Sequence, residues 1–247
     1  VGFRWFREFF SSVYFGRLIK NTLLISIYSL IIGFPIPIIF ALLLNEIKDG
    51  PFKRVTQTIS YLPHFISVVV VVGLLFNFLS PIDGVVNVLL KSMGKDAINF
   101  MSEPGWFRTL YIGSNIWQNF GWDSIIYLAA LSSVDPQLYE AAQIDGAGKF
   151  KQMLHVTLPA IMPTIIILLI MNVGNIMNVG FEKIILMYSP ATYETADVIS
   201  TYVYRRGILG SQFSFSASVG LFNSVINFAL LFTVNKISNR VSEISLW

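Results

Sequence analysis

The sequence predicts an all-α, polytopic membrane protein with five transmembrane helices, and three observations carry that prediction. Of the 247 residues 54% are hydrophobic and only 13% charged, about half the roughly 25% usual in soluble domains, and the mean hydropathy is +0.66. Five stretches, centred on 21–45, 59–80, 110–131, 159–177 and 215–235, run almost free of Asp, Glu, Lys and Arg for about the roughly 20 residues that cross a hydrocarbon core. Such stretches must be helices, because only a helix satisfies its own N–H and C=O groups where no water can reach. The chain has no cysteine, hence no disulfide framework and no thiolate metal site. Its formal charge of +3 is scattered along the sequence, which argues against a nucleic-acid surface.

Taken in order, the opening VGFRWFREFFSSVYF interleaves aromatics with Arg, as a stretch lying at a membrane interface does. Residues 1–18 are therefore expected as an external interfacial segment, and a chain opening on Val is expected to lack its true N-terminus. The first span, Asn21 to Leu44, carries Pro35 and Pro37 in its middle, and proline at that depth kinks a helix. A short basic loop, NEIKDGPFKR, leads to a second span from about Tyr61 to Leu79, with Pro63 near its start. The loop 80–108 holds Pro81, Asp83, Gly84 and Trp106, with a short interfacial helix expected from Val85 to Ser92. A third span, Leu110 to Leu131, precedes a polar segment, and the fourth opens at Pro159, whose missing N–H costs nothing in a first helical turn. An external loop, 178–213, carries Glu182, Lys183, Glu194, Asp197, Arg205 and Arg206 before the last span. With no internal repeat, 1–247 is expected as one domain.

The polar segment, EAAQIDGAGKFKQMLHVTLP from Glu140 to Pro159, is the most informative part of the chain. Over 135–159 the residues predict two short helices joined at a glycine. Asp135 caps the first, with Pro136 in its first turn and Leu138, Ala141 and Ala142 on one face. Asp145 and Gly146 form a turn in which glycine takes positive φ at no steric cost. Phe150, Met153, Leu154 and Leu158 form an apolar stripe on the second helix, a shape suited to a groove on another protein. The residues Gly146 to Lys149, GAGK, look like part of a phosphate-binding loop, which requires G-x-x-x-x-G-K-[ST]. Here Gln143 stands where the first glycine belongs and Phe150 where Ser or Thr belongs, so that loop is excluded.

Glu140, Ala141, Ala142, Gly146, Leu158 and Pro159 match the cytoplasmic EAA loop of the membrane subunits of bacterial ABC importers, within the wider pattern LSSVDPQLYEAA, IDGA and LPAIMP. The segment thus resembles the coupling helix of those permeases, which docks in a cleft of the ATPase. The resemblance implies a coupling role for Glu140, Ala141, Ala142, Asp145, Gly146, Phe150, Leu158 and Pro159 over a cytoplasmic loop 132–158. The runs NTLLISIYSLIIGFPIPIIFALLLNEI, TQTISYLPHFISVVVVVGLL and IWQNFGWDSIIYLAALSSVDPQLYEAAQIDGA resemble the maltose-type carbohydrate permeases, most nearly the branch importing oligosaccharides or polysaccharide fragments. The likeness covers nearly the whole chain and departs at the front, where the family core of six has a further first helix. It implies a non-catalytic subunit of a bacterial cell membrane, paired with a second homologous permease as a heterodimer. It further implies two cytoplasmic ATPase subunits holding the ATP and Mg, an extracellular solute-binding protein and an oligosaccharide substrate, with no cofactor on this chain.

A cytoplasmic polar segment places Lys48, Lys53, Arg54, Lys149, Lys151, Lys236 and Arg240 inside and the other ten of the 17 Lys and Arg outside. The positive-inside rule weakly prefers the reverse; the motif is the more specific signal and sets the orientation. Within the spans, Asn115, Gln118, Asn119 and Trp122 lie near one face of the third helix, and Asn172, Asn175 and Asn178 recur every third residue on the fourth. Amides in hydrocarbon point to other helices or to a wet cavity. The resemblance makes Asn115, Asn119, Trp122, Asn172 and Asn175 a substrate path, and amides with an indole suit a sugar's hydroxyls and apolar face. Asp123, the only carboxylate inside a span, is expected in a structural or gating pair rather than ion coupling. His64 is expected to hydrogen-bond a neighbouring helix, and with His155 far away no metal cluster forms. The alternatives are a permease of the same superfamily for another solute, such as an amino acid, and a membrane-embedded enzyme. The enzyme would need a cluster of acids or metal ligands that the sequence lacks.

Overall fold

The N-terminal aromatics fold as α1 (Arg4–Phe10) in the computed structural model, which describes residues 2–247. The helix turns Phe9 inward to full burial, with its ring 5.1, 6.2 and 5.6 Å from those of Phe15, Phe215 and Phe222. The stretch expected at an interface thus buries one aromatic edge in protein. Next come α2 (Phe15–Tyr28) and α3 (Pro35–Glu46), joined by a five-residue π-turn, Ser29–Gly33, into one run of 32 residues. Pro35 has no N–H and its ring crowds the carbonyl four residues back, so the helix widens just ahead of it. The predicted kink takes the form of this bulge.

The second predicted span is corrected. Instead of one helix over 61–79, α4 (Pro51–Tyr61) passes through a 3-10 turn, Leu62–Phe65, and stops before α5 (Val68–Phe78). Pro63 lacks the donor that would continue α4. Ser67 is extended (φ −61°, ψ 147°), and its hydroxyl accepts the Val70 N–H at 3.4 Å, capping α5. The loop before α4 is also shorter than expected, because Pro51 opens the helix. The expected α6 (Val85–Ser92) is present. Its fully buried Asn87 donates to the carbonyls of Leu79, Ser80 and Ile98 at 3.0–3.1 Å and accepts the Ile98 N–H at 2.8 Å. The third predicted span lies within α7 (Pro104–Ser132), a helix of 29 residues that begins ahead of Leu110.

After α8 (Pro136–Ile144), α9 (Lys149–Gln152) runs through a π-turn, Met153–Thr157, into α10 (Leu158–Gly174). Together Lys149–Gly174 make one apolar run of 26 residues. The second short helix is therefore the start of the fourth span, because helix geometry continues through Pro159 by widening ahead of it. The chain closes with α11 (Phe181–Met187), α12 (Tyr193–Ala196), α13 (Ile199–Val203) and α14 (Phe213–Ser242). Every regular element among the described residues is helical, and the protein is an all-α, polytopic membrane protein.

Phe15–Glu46, Lys149–Gly174 and Phe213–Ser242 are long and apolar enough to cross a membrane, and Pro51–Phe65 with Val68–Phe78 makes a fourth if that bent pair is one span. Helix α7 has the length, but Asn115, Gln118, Asn119 and Asp123 in its middle keep it out of that apolar set.

Contacts group the chain into two units. One comprises the chain up to Ser29, Ile66–Asn115 and Ile176–Phe228, around a core of Phe9, Leu18, Met177, Ile199, Tyr202, Phe215 and Val219. The other comprises Leu30–Phe65, Ile116–Asn175 and Ala229–Trp247, around Ile38, Ala41, Leu42, Tyr127, Leu131 and Ile161. In the second, α7 meets α4 so closely that a Cβ on Gly121 would fall on the Ser60 carbonyl. Lipid tails are as apolar as leucine, so close backbone approach at small residues is what holds such helices together.

Candidate functional site

The polar segment folds as a braced hook. The Asp135 carboxylate accepts the Gln137 N–H at 2.9 Å and Pro136 occupies the first turn of α8. At the other end Gly146 takes φ +75°, letting the Ala147 N–H reach back to the Ala142 carbonyl at 2.8 Å. The Tyr139 hydroxyl bonds the Thr157 hydroxyl at 3.1 Å, and buried Gln152 donates to the Ala147 carbonyl at 2.7 Å. Lys149 reaches Glu46 at 3.4 Å. The Tyr139 and Gln152 bonds fix the hook to the helix that follows it, and Lys149 ties it to the end of α3.

The apolar stripe divides. Met153 and Leu158 pack against the core of Ile38, Tyr127 and Ile161, whereas Phe150 and Leu154 stay exposed, at 68% and 40%. With Leu138 and Ile144, 51% and 87% exposed, they make an apolar surface beside exposed Glu140, Ala141 and Asp145; Ala142 is half-buried and Pro159 exposed. A rigidly footed surface of this kind can receive a partner and pass its displacement straight into α10.

Among the polar residues of the spans, Asn119 and Trp122 on α7 are brought together by His64. The His64 Nδ1 lies 3.0 Å from the Asn119 Oδ1, and its ring stacks parallel on Trp122 with centroids 4.5 Å apart. Phe65 meets Trp122 nearly at right angles, with ring centroids 5.4 Å apart. The predicted hydrogen bond of His64 to a neighbouring helix is present; that it reaches the candidate path itself was not legible from a lone His after Pro63. Asn115 is half-buried one turn earlier on α7. Asn172 and Asn175 are exposed on α10, donating to the Leu168 and Met171 carbonyls at 2.8 and 3.1 Å. Asp123 is exposed on α7.

The structure also brings together a charged cluster that the sequence does not predict. Asp197, fully buried, receives Arg17 at 3.0 Å, Arg205 at 2.8 Å on each carboxylate oxygen and the Thr201 hydroxyl at 2.8 Å. The Asn21 amide donates to the backbone carbonyls of Glu194 and Asp197 at 3.0 and 2.9 Å, and its oxygen accepts Arg108 at 2.8 Å. Burial works to lower the pKa of Arg205, but hydrogen bonds to Tyr188 and Asp197 outweigh it and raise the value overall. Sequence shows these charges without the pairing, since Arg17 and Asp197 lie 180 positions apart.

The family model for the "binding-protein-dependent transport system inner membrane component" matches residues 33–243. The protein LplB of Bacillus subtilis (strain 168) is 44% identical over 247 residues, which are 100% of this chain and 78% of that protein. The polygalacturonan/rhamnogalacturonan transport system permease protein YteP of the same organism is 44% identical over 243 residues, 98% of this chain and 76% of that one. Among solved structures, a bacterial alginate ABC transporter in complex with an alginate pentasaccharide-bound periplasmic protein contains a chain 49% identical, with a TM-score of 0.96, covering 100% of this chain and 85% of that one. These matches fit the hook and the multi-pass architecture: the chain belongs to the inner membrane components of binding-protein-dependent transport systems, a non-catalytic permease subunit of the ABC importer type in the bacterial inner membrane.

Proposed function

We propose that the chain forms, with a second homologous permease, the translocation path for an oligosaccharide delivered by an extracellular binding protein. Two cytoplasmic ATPase subunits, which hold the ATP and Mg, drive it. The observation that carries this reading is the hook: α8 closed by Gly146, with Glu140, Leu138, Ile144 and Phe150 exposed and its foot continuous with the fourth span. ATP-driven closure of the ATPases moves the hook and, through α10, tilts the membrane helices. The Glu140 carboxylate faces a basic group of the ATPase, and Ala141, Ala142, Asp145, Leu158 and Pro159 set the shape of the docking turn. The names of the relatives, which carry polygalacturonan, rhamnogalacturonan and alginate, support a saccharide cargo. Asn115, Asn119, Trp122, Asn172 and Asn175 line its path, with His64 orienting Asn119 and Trp122.

Co-purification from membranes tests the hook. Glu140→Lys or Gly146→Val, the latter forcing a β-branched residue to positive φ, should strip the ATPase subunits while the two permeases stay paired. Retained ATPase and undiminished substrate-stimulated ATP hydrolysis in both variants would refute the docking role.

A further inference from the structure

Between the first two turns of α2, the start of α7 and α12 lies a cleft of 370 Å³, lined chiefly by Arg17, Lys20, Asn21, Arg108, Glu194 and Thr195. Small-ligand sites typically measure roughly 300–1,000 Å³. The walls carry more positive charge than the fold neutralises. Asp197 is shared between Arg17 and Arg205, so among the described residues Lys20 and Arg108 form no ion pair with a carboxylate. Arg108 spends its one described hydrogen bond on a neutral amide oxygen, that of Asn21. The Nε atoms of Arg17 and Arg108 are enclosed without an acceptor. A half-buried cation without a counter-charge is costly, and an anion in the cleft relieves that cost.

The remaining wall narrows the choice of anion. Glu194 is exposed at the rim; its carboxylate repels a multiply charged phosphate but accepts hydroxyl donors. A sugar unit bearing one carboxylate satisfies both sides at once, setting its carboxylate against the Lys20 ammonium and the free side of the Arg108 guanidinium and its hydroxyls on Glu194. An inorganic phosphate or a lipid phosphodiester satisfies only the cationic side. We propose that this cleft is an anion subsite of the permease that takes the carboxylate of a uronate unit in an acidic oligosaccharide. The proposal rests on the oligosaccharide-importer reading above and places a selective contact outside the amide-lined path of the spans.

The assembled importer in nanodiscs, titrated with trigalacturonate and with its carboxyl-reduced neutral counterpart, tests it. The wild type should bind the acidic trisaccharide about tenfold more tightly, the worth of one charged hydrogen-bonded contact, and added salt should shrink the preference. Lys20→Gln with Arg108→Gln should abolish the preference, while Arg108→Lys keeps most of it. Lys20→Gln alone, which removes an exposed side chain with no described bond to the fold, should lower the preference severalfold and serves where Arg108→Gln impairs assembly. Equal binding of the two trisaccharides by the wild type would overturn the subsite. Competition by inorganic phosphate or by phosphatidylglycerol-rich nanodiscs as strong as that by trigalacturonate would overturn it too. Import of the neutral trisaccharide without any discrimination refutes the cleft alone, whereas failure to import any saccharide refutes the importer reading with it.

Discussion

Asp197→Asn removes one charge from the most enclosed ionic cluster among the described residues. The native carboxylate is 0% exposed and takes Arg17, Arg205 and Thr201 at 2.8–3.0 Å. Asparagine keeps the size but turns one acceptor into a donor aimed at guanidinium, leaving two cations facing a neutral group. Breaking a buried pair from one side costs about 3–5 kcal/mol. The side chains of Arg17 and Arg205 are 34% and 25% exposed, so water screens part of the loss and the lower end, about 3 kcal/mol, is expected. For a chain of this size each kcal/mol moves the melting midpoint by about 2–4 °C, giving a drop of roughly 6–12 °C. Thermal unfolding of the purified importer, followed by tryptophan fluorescence, reads it. The double variant Asp197→Asn/Arg205→Met should regain part of the loss, because it also removes a stranded cation. A midpoint within about 1 °C of wild type, or purely additive losses in the double variant, would show that the cluster is solvated rather than structural.

Gly121→Ala should cost about 1–3 kcal/mol, since the new Cβ meets the backbone carbonyl of Ser60, which cannot rotate aside, and also the Ser60 Cβ at 2.9 Å. Gly73→Ala, with open space around it, is the control; equal yields and midpoints for the two would refute the close-packing argument. A third prediction concerns pH. Burial lowers the pKa of Lys183 in α11 from 10.5 to about 8. Between those values the folded state binds fewer protons than the unfolded, so stability climbs as pH rises from about 8 toward 10.5 and the cost is fully present below 8. Lys183→Met should raise the midpoint at pH 7 and flatten that climb; identical pH profiles for the two proteins would refute it.

What could be read before folding, and what could not, follows from the range over which each physical cause acts. Hydrophobic runs gave the helices, and Asp135, Pro136 and Gly146 gave the ends of α8, because capping and positive φ are decided within a few residues. The second span differs for a reason visible in the same letters: a charge-free run predicts one helix, but Pro63 removes a donor and Ser67 caps a new start. Absence of charge allows a stretch to enter lipid without requiring it to be straight. The fourth span differs the other way: Pro159 suits the first turn of a new helix, yet the chain passes it by widening at Met153–Thr157. That difference bears on the coupling role proposed above, because a separate second helix would be a flexible joint, whereas a continuous Lys149–Gly174 run lets the hook act as the end of a lever. The pairings that complete the candidate sites, His64 with Asn119 and Trp122 or Arg17 with Asp197, join residues 55 to 180 positions apart. No period or cap records them, and only the packing of α2, α4 and α7 against their neighbours brings them into reach.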